Sequence, residues 1–440
     1  MSVTTEDPVS SGFKWDHFKT VTDPKQLSRA TTFLESVSWP ALEDVASRIR
    51  GGISCKLTAD IGLGYNHMVR DIQFADGTHL VARLRLPRFS DNGLYPDSNA
   101  VDIAMRSEIC TLHAIAEHTD IVVPQVYASD TSADGEVGAP YVLMNRLEGN
   151  SGLDLGLEIP LQYENDLFSE MARIHVRLSC IRLPRIGIVI DINEDGTYQQ
   201  GAIPGIGGPF DTAAEYYTAW SKNVSFGLEE ERLRQASGKF AEEVVASTAL
   251  FKKSIADLAD KISTPTNNRG PFPLIHGDFG HHNILVDDDY RVKGVIDFEY
   301  AFAGPWEIAA SFPKNLFSMP RVADAPWNYD ADGNAIPQDL VQTLMYQKNY
   351  IKAVEMEESR FGKDCILSTA MLDPERQQLG EALGSFREGV AGFYGNLTEE
   401  CSSLWKKGSQ TTGSTRIGVL EEVTFSTSMV SVRVRPRSNP

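Results

Sequence analysis

The chain lacks most of what would tie it to a membrane, a nucleic acid or a disulfide framework. No apolar run approaches the roughly eighteen residues that cross a bilayer. The first residues have no apolar core of the secretory kind, and Glu6, Asp7 and Asp16 are out of keeping with a transit peptide. A cytoplasmic protein with no membrane partner is the expectation. The five cysteines, Cys55, Cys110, Cys180, Cys365 and Cys401, are scattered and odd in number, with no Cys-x-x-Cys pair. A reducing cytosolic compartment is the simplest reading. Basic charge is also short: 41 Lys and Arg stand against 60 Asp and Glu, a net charge of −19. Nucleic-acid backbones need clustered cations, so no nucleic-acid partner is expected. The same charge is compatible with a cationic small molecule. No internal repeat is visible. What remains is 440 residues of ordinary globular composition, enough for two or three domains or one two-lobed unit.

One stretch organises the rest. Leu274-Ile275 leads into His276-Gly277-Asp278, and a short loop reaches Asn283 and the apolar Ile284 to Val286. Asp287 to Asp289 read as a solvated turn. A second strand, Val292 to Ile296, ends in Asp297. A hairpin returns its end to its start, so Asn283 and Asp297 meet, with Asp278 at the mouth. Two carboxylates and an amide oxygen in one cleft suit phosphoryl transfer. Mg2+ takes hard oxygen ligands, few of them from protein, and a carboxylate free of metal can accept a hydroxyl proton. A zinc site of His281, His282 and Asp278 is disfavoured, because adjacent histidines point apart and no further ligand has metal spacing.

This order resembles the protein-kinase catalytic loop, with Asn five residues after the Asp. It is more narrowly similar to the aminoglycoside phosphotransferase and choline kinase family, whose signature is His-Gly-Asp-x-x-x-x-Asn and then Ile-Asp-x-Glu. Here those residues are His276, Gly277, Asp278, Asn283, Ile296, Asp297 and Glu299. The resemblance implies an α+β, bilobal protein-kinase-like fold. Its N-lobe is a small antiparallel sheet and its C-lobe is larger and mainly helical. It also implies ATP and Mg2+ as cofactors and a hydroxyl-bearing small molecule as acceptor. In these terms Asp278 is the base, Asn283 and Asp297 hold the metal, and His276 belongs to the catalytic stretch. Gly208-Pro209-Phe210-Asp211 and Glu215-Tyr216-Tyr217 resemble the fungal-type branch of the family.

Upstream, Cys55 to Ile61, Met68 to Phe74 and Leu80 to Leu86 read as strands, the last two joined at Asp76-Gly77. Gly62-Leu63-Gly64-Tyr65-Asn66-His67 resembles the glycine loop that covers nucleotide phosphates, with His67 at the last glycine position. Gly62 and Gly64 are therefore cofactor-binding candidates. On the third strand the kinase pattern has Lys, and here Arg83 and Arg85 alternate onto one face. Arg83 in Val-Ala-Arg fits the register of a phosphate-binding cation, although Arg does not replace Lys freely. Glu108, in a helix spanning Ala100 to His118, resembles the carboxylate that pairs with that cation. Ile121 to Tyr127 and Pro140 to Met144 complete a five-stranded lobe. The hinge follows, with backbone groups of Asn145 to Leu147 as adenine partners.

Four segments are expected: an N-terminal arm and helix over 1–38, an N-lobe over 39–145, a C-lobe over 146–400 and a loosely attached tail over 401–440. A helix from Pro24 to Arg50 is broken at Pro40, and another spans Pro374 to Tyr394. Glu307 braces the catalytic loop or caps a helix. Two further readings stay open. One is a kinase-fold protein that binds a small metabolite without transferring phosphate, which Arg83 and His67 favour. The other is a protein kinase, against which no Ala-Pro-Glu follows Asp297 and Asp-Phe-Glu stands for Asp-Phe-Gly.

Overall fold

The computed structural model describes residues 15, 17–87, 98–362 and 364–408. A short helix α1 (His17–Thr20) precedes α2 (Pro24–Ser36) and α3 (Trp39–Ile49). The Asp23 carboxylate caps α2 by accepting the Lys25 and Gln26 amides at 2.7 and 3.2 Å, and Pro24 starts its first turn. Five strands then form one sheet in the order β1-β2-β3-β5-β4: β1 (Cys55–Leu63), β2 (His67–Phe74), β3 (His79–Arg85), β4 (Val126–Asp130) and β5 (Tyr141–Asn145). All four pairings are antiparallel. The period-two alternation of β3 sorts its residues. Leu80, Ala82 and Leu84 enter the core that Ala30, Phe33, Leu42 and Val45 of α2 and α3 complete. Val81 lies on the opposite face, beside Met105 of α4 (Ser98–His118). Arg83 and Arg85 share that second face and extend it toward the C-lobe.

The second lobe begins with β6 (Asn150–Ser151) and α5 (Leu161–Cys180), and continues through β7 (Arg182–Leu183), β8 (Ile188–Ile192) and β9 (Tyr198–Gly201). Helices α6 (Ala213–Asn223), α7 (Glu230–Ser237) and α8 (Ala241–Ile262) follow. A capping box between Thr212 and Glu215 starts α6. Then come β10 (Phe272–Ile275), β11 (Ile284–Val286), β12 (Val292–Val295) and β13 (Phe302–Ala303). The described residues close with α9 (Trp306–Ala309), α10 (Gln338–Phe361), α11 (Ile366–Met371), α12 (Pro374–Glu388) and α13 (Tyr394–Gly408). An aromatic core of Trp220, Phe251, Phe386 and Tyr394 joins α6, α8, α12 and α13. The result is the expected α+β bilobal architecture, an antiparallel sheet lobe on a mainly helical one.

Several boundaries differ from expectation. Pro40 does not break a helix. The break falls at Val37–Ser38, and Pro40 sits in the first turn of α3, where a missing N–H costs nothing. Helix α2 is part of the N-lobe core and not an arm. The strand expected at 121–127 begins at Val126, because Pro124 cannot donate to a ladder. Upstream of it, the Val122 carbonyl accepts the Val295 amide of β12 at 2.9 Å, which ties the linker to the C-lobe. The helix expected over 374–394 ends at Gly389, whose φ of +75° is a left-handed cap. Helix α13 then runs through the boundary expected at 401, with Cys401 buried. The arm through residue 14, residues 88–97 and the tail from 409 lie outside the described residues. Among the described residues no helix is long and apolar enough to cross a membrane.

Candidate active site

Strand β10 lies between β7 and β13 and delivers His276 to the cleft. The His276 ring is buried against Phe298, with centroids 4.3 Å apart. Burial brings its pKa down to about 4, so the ring is neutral at physiological pH. Its Nε2–H donates to the Ile296 carbonyl at 3.0 Å and its Nδ1 accepts the Asp278 amide at 3.3 Å. One imidazole therefore ties the start of the loop to the end of the β11–β12 hairpin. Gly277 has φ +82°, and a Cβ there would lie 2.1 Å from the Tyr300 carbonyl oxygen. That close approach explains the glycine between His and Asp. Gly277→Ala is expected to destabilise the fold by at least the ~1–3 kcal/mol typical of a strained backbone, and to displace Asp278. Chemical denaturation beside a nucleotide titration checks this. A variant with unchanged midpoint and affinity would refute the close-contact account.

Asp278 lies at the cavity edge. Burial would raise its pKa, but the hydrogen bond from His282 Nε2 (3.2 Å) and the charges of His282 and Lys314 hold it below the usual carboxylate range. It is thus ionised near neutrality, as a proton acceptor must be. Asn283 is buried, and its Nδ2 donates to the Asp278 carbonyl at 2.9 Å and to Oδ2 at 3.3 Å. With its nitrogen held there, the amide turns Oδ1 the other way, as a hard oxygen donor. Asp297 follows β12 with φ +66°, a conformation that few non-glycine residues adopt, Asp among them. Burial pushes the Asp297 and Glu108 carboxyls upward, against the pull of Arg83. The Asp287 side chain accepts the Asp289 and Arg291 amides, so the acidic turn is a self-contained Asx turn.

From the N-lobe, Arg83 reaches across the cleft. Its Nη1 donates to Glu108 of α4 and its Nη2 to Asp297. It sits on the central strand with its side chain 13% exposed. Removing either carboxylate would leave a buried charge partly unmatched, a loss of ~3–5 kcal/mol in similar buried pairs. Arg85, two residues on, pairs with Glu299 in the same way. The glycine segment is shorter than its pattern suggested. Gly62 belongs to β1 and pairs with Val69, so the turn is Gly64 to Asn66, and the Gly64 amide donates to His67 at 2.9 Å. At the hinge, the Asn145 amide already donates to the Gln125 carbonyl, and its side-chain oxygen accepts the Gln125 amide. Asn145 thereby closes the sheet and its N–H is not free for adenine. Leu147 packs against Gly294, where a Cβ would come within 2.6 Å of it.

Sequence reasoning missed two groups beside Asp278. His282, which the sequence offers only in a disfavoured zinc set, holds the Asp278 carboxylate. Lys314 comes from the segment after α9, where its amide donates to the Phe279 carbonyl at 2.8 Å and its ammonium pairs with Glu388. A single Lys in a Phe-Pro-Lys run carries no periodic signal. Glu307 stands buried in the first turn of α9, in keeping with the helix-cap alternative, and accepts the Tyr217 and Ser263 hydroxyls at 2.9 and 2.8 Å. A cavity of about 1000 Å³ opens at Asp278, between walls that include Tyr216, Trp220, Phe226, Phe312 and Lys314. Its size suits a drug-sized molecule.

The model of the phosphotransferase enzyme family, APH, matches residues 73–308, more than half of the chain. The protein belongs to this family. The match runs from β2 through α9 and contains the whole phosphotransferase signature, from His276 to Glu299. Two curated relatives, subtelomeric hrmA-associated cluster proteins of two Aspergillus fumigatus strains, are 24% identical over 133 residues. That match covers 30% of this chain and 24% of each relative's length. Among solved structures, the chain resembles a putative aminoglycoside phosphotransferase of Ralstonia eutropha (14% identity, TM-score 0.46, 83% of this chain and 99% of that one). It also resembles a putative fructosamine-3-kinase of Thermobifida fusca (16%, TM-score 0.42, 83% and 99%) and an ethanolamine kinase of Plasmodium vivax (12%, TM-score 0.37, 90% of each). The phosphotransferase family brings an expected Mg2+. The donor set fits it: Asn283 Oδ1 and the Asp297 carboxylate are hard oxygens, two from protein, leaving further positions to phosphate and water.

Proposed function

We propose that the protein is an ATP-dependent phosphotransferase acting on a hydroxyl of a small molecule. The observation that carries this reading is the joint placement of Asp278, Asn283, Asp297 and Arg83 at one cleft that opens into the cavity. Asp278 orients the acceptor hydroxyl and takes its proton as the oxygen attacks the γ-phosphorus, whose bond to the ADP oxygen breaks and releases ADP. His276 and Gly277 hold the Asp278 loop in place. Arg83, held by Glu108, presents a fixed guanidinium toward the nucleotide phosphates. Mg2+ bound through Asn283 and Asp297 would neutralise phosphate charge. The β1–β2 turn lies on the N-lobe side of the cleft, where backbone N–H groups can approach phosphate. The cavity carries aromatic walls, carboxylates and Lys314, so the acceptor is a hydroxyl compound with an apolar body.

Mg2+-ATP is expected to raise the melting temperature, since a ligand that binds the folded state stabilises it by mass action. At a concentration one hundred times the dissociation constant the gain is about 2.7 kcal/mol. Arg83→Ala should reduce the shift at matched ligand concentration. Differential scanning fluorimetry checks both. No shift with a folded sample at millimolar Mg2+-ATP would contradict nucleotide binding. A shift lost on Arg85→Ala but kept on Arg83→Ala would move the phosphate-binding role two residues along β3.

A further inference from the structure

The β1–β2 turn is bonded to the C-lobe through Glu299. Asn66 Nδ2 donates to Glu299 Oε1 at 2.8 Å and contacts the Tyr300 hydroxyl at 2.9 Å. The other carboxylate oxygen, Oε2, takes the Arg85 guanidinium. His67 Nε2 lies 3.3 Å from Arg85 Nη1 and 3.8 Å from Glu299 Oε2. Glu299, Arg85 and His67 are all buried. Burial, with the charges of Arg83 and Arg85, keeps His67 neutral, so its ring can accept from Arg85 and does not compete with it as a cation. Two parallel ties therefore cross the cleft, from Arg83 to Asp297 and from Arg85 to Glu299, each two residues from the other on both sides. The inner tie engages a carboxylate that the metal also needs. The outer tie engages one with no such duty.

We infer that Glu299 is a positioning residue, a clasp that fixes the height of the Gly64–Asn66 turn over the cleft and holds the lobes together through Arg85 whether or not nucleotide is bound. A hydrogen bond to a carboxylate is stronger than one between neutral groups, and here the carboxylate is screened from water. The turn is thus held from the C-lobe at Asn66 and from the N-lobe at Tyr65, whose carbonyl accepts from Arg29 at 2.8 Å. Its consequence for nucleotide exchange rests on the proposed function. The clasp itself does not.

The test uses the full chain and two variants. Asn66→Ala removes the Glu299 contact of the turn from a partly exposed residue and leaves Arg85–Glu299 and Arg29–Tyr65 intact. Glu299→Gln keeps an acceptor for Asn66 but removes the charge facing Arg85. Amide hydrogen exchange of the nucleotide-free protein reads Gly64 and Leu86, whose N–H groups donate to the His67 and Asn66 carbonyls. Asn66→Ala is expected to speed exchange there roughly tenfold, the size of one lost hydrogen bond to a charged group, with the Asp76–Gly77 turn unchanged. Glu299→Gln should give a smaller rise at the same amides. In stopped flow with Mg2+ and a fluorescent N-methylanthraniloyl ATP, Asn66→Ala should raise both association and dissociation rates, leaving their ratio, the Kd, near that of the wild type. Unchanged exchange in both variants overturns the clasp. If the wild type binds no labelled ATP, the nucleotide reading fails, and the exchange result still decides the clasp.

Discussion

Asp278→Asn is expected to lower turnover by about 10²–10⁴-fold, with Mg2+-ATP affinity within about threefold of the wild type. The substitution keeps the size of the side chain and removes the proposed proton acceptor. The main-chain carbonyl that Asn283 Nδ2 uses is untouched, so the amide stays in place. His276 still holds the loop through the Asp278 backbone. The loss should therefore fall on the chemical step and leave binding alone. Single-turnover assays on an acceptor, beside a calorimetric titration of Mg2+-ATP, separate the two quantities.

Asp297→Asn should fail differently. It would take a charged oxygen from the proposed Mg2+ site, and it takes one of two carboxylates from Arg83. Metal-dependent nucleotide affinity is expected to fall by about tenfold or more, and turnover with it. Titrations with Mg2+ and with a chelator isolate the metal-dependent part. Loss of that part in Asp278→Asn, with retention in Asp297→Asn, would reverse the two assignments.

How much of this was legible in the sequence follows from contact range. The β11–β12 hairpin brings Asn283 and Asp297 together within 15 residues, and a turn with two apolar flanks announces itself locally. The three N-lobe strands were legible for the same reason, since Asp76-Gly77 and the alternation of β3 are local signals. Arg83 and Glu108 meet over 25 positions, and the family pattern pointed to them. Arg85 and Glu299 lie 214 positions apart, Asn66 and Glu299 233, and nothing in either segment alone indicates the other. Lys314 reaches the site because α9 and α12 place it there. Of the two readings of Glu307, its place in the first turn of α9 was legible locally, whereas its partners Tyr217 and Ser263 were not, because they come from two separate helical segments. Helix ends were misplaced where one residue decides them, Pro40 at a start and Gly389 at a stop.

The most direct measurement is a screen for phosphate gain. The full chain is incubated with Mg2+, ATP carrying an isotopic label in its γ-phosphate, and a broad mixture of hydroxyl-bearing metabolites, and the products are read by mass spectrometry. The expected result is at least one acceptor that gains a single labelled phosphate with the wild-type protein and not with Asp278→Asn. Nucleotide binding with no labelled product from any acceptor would instead identify a protein that binds without transferring phosphate. Labelled product formed at the wild-type rate by Asp278→Asn would place the chemistry outside this cleft.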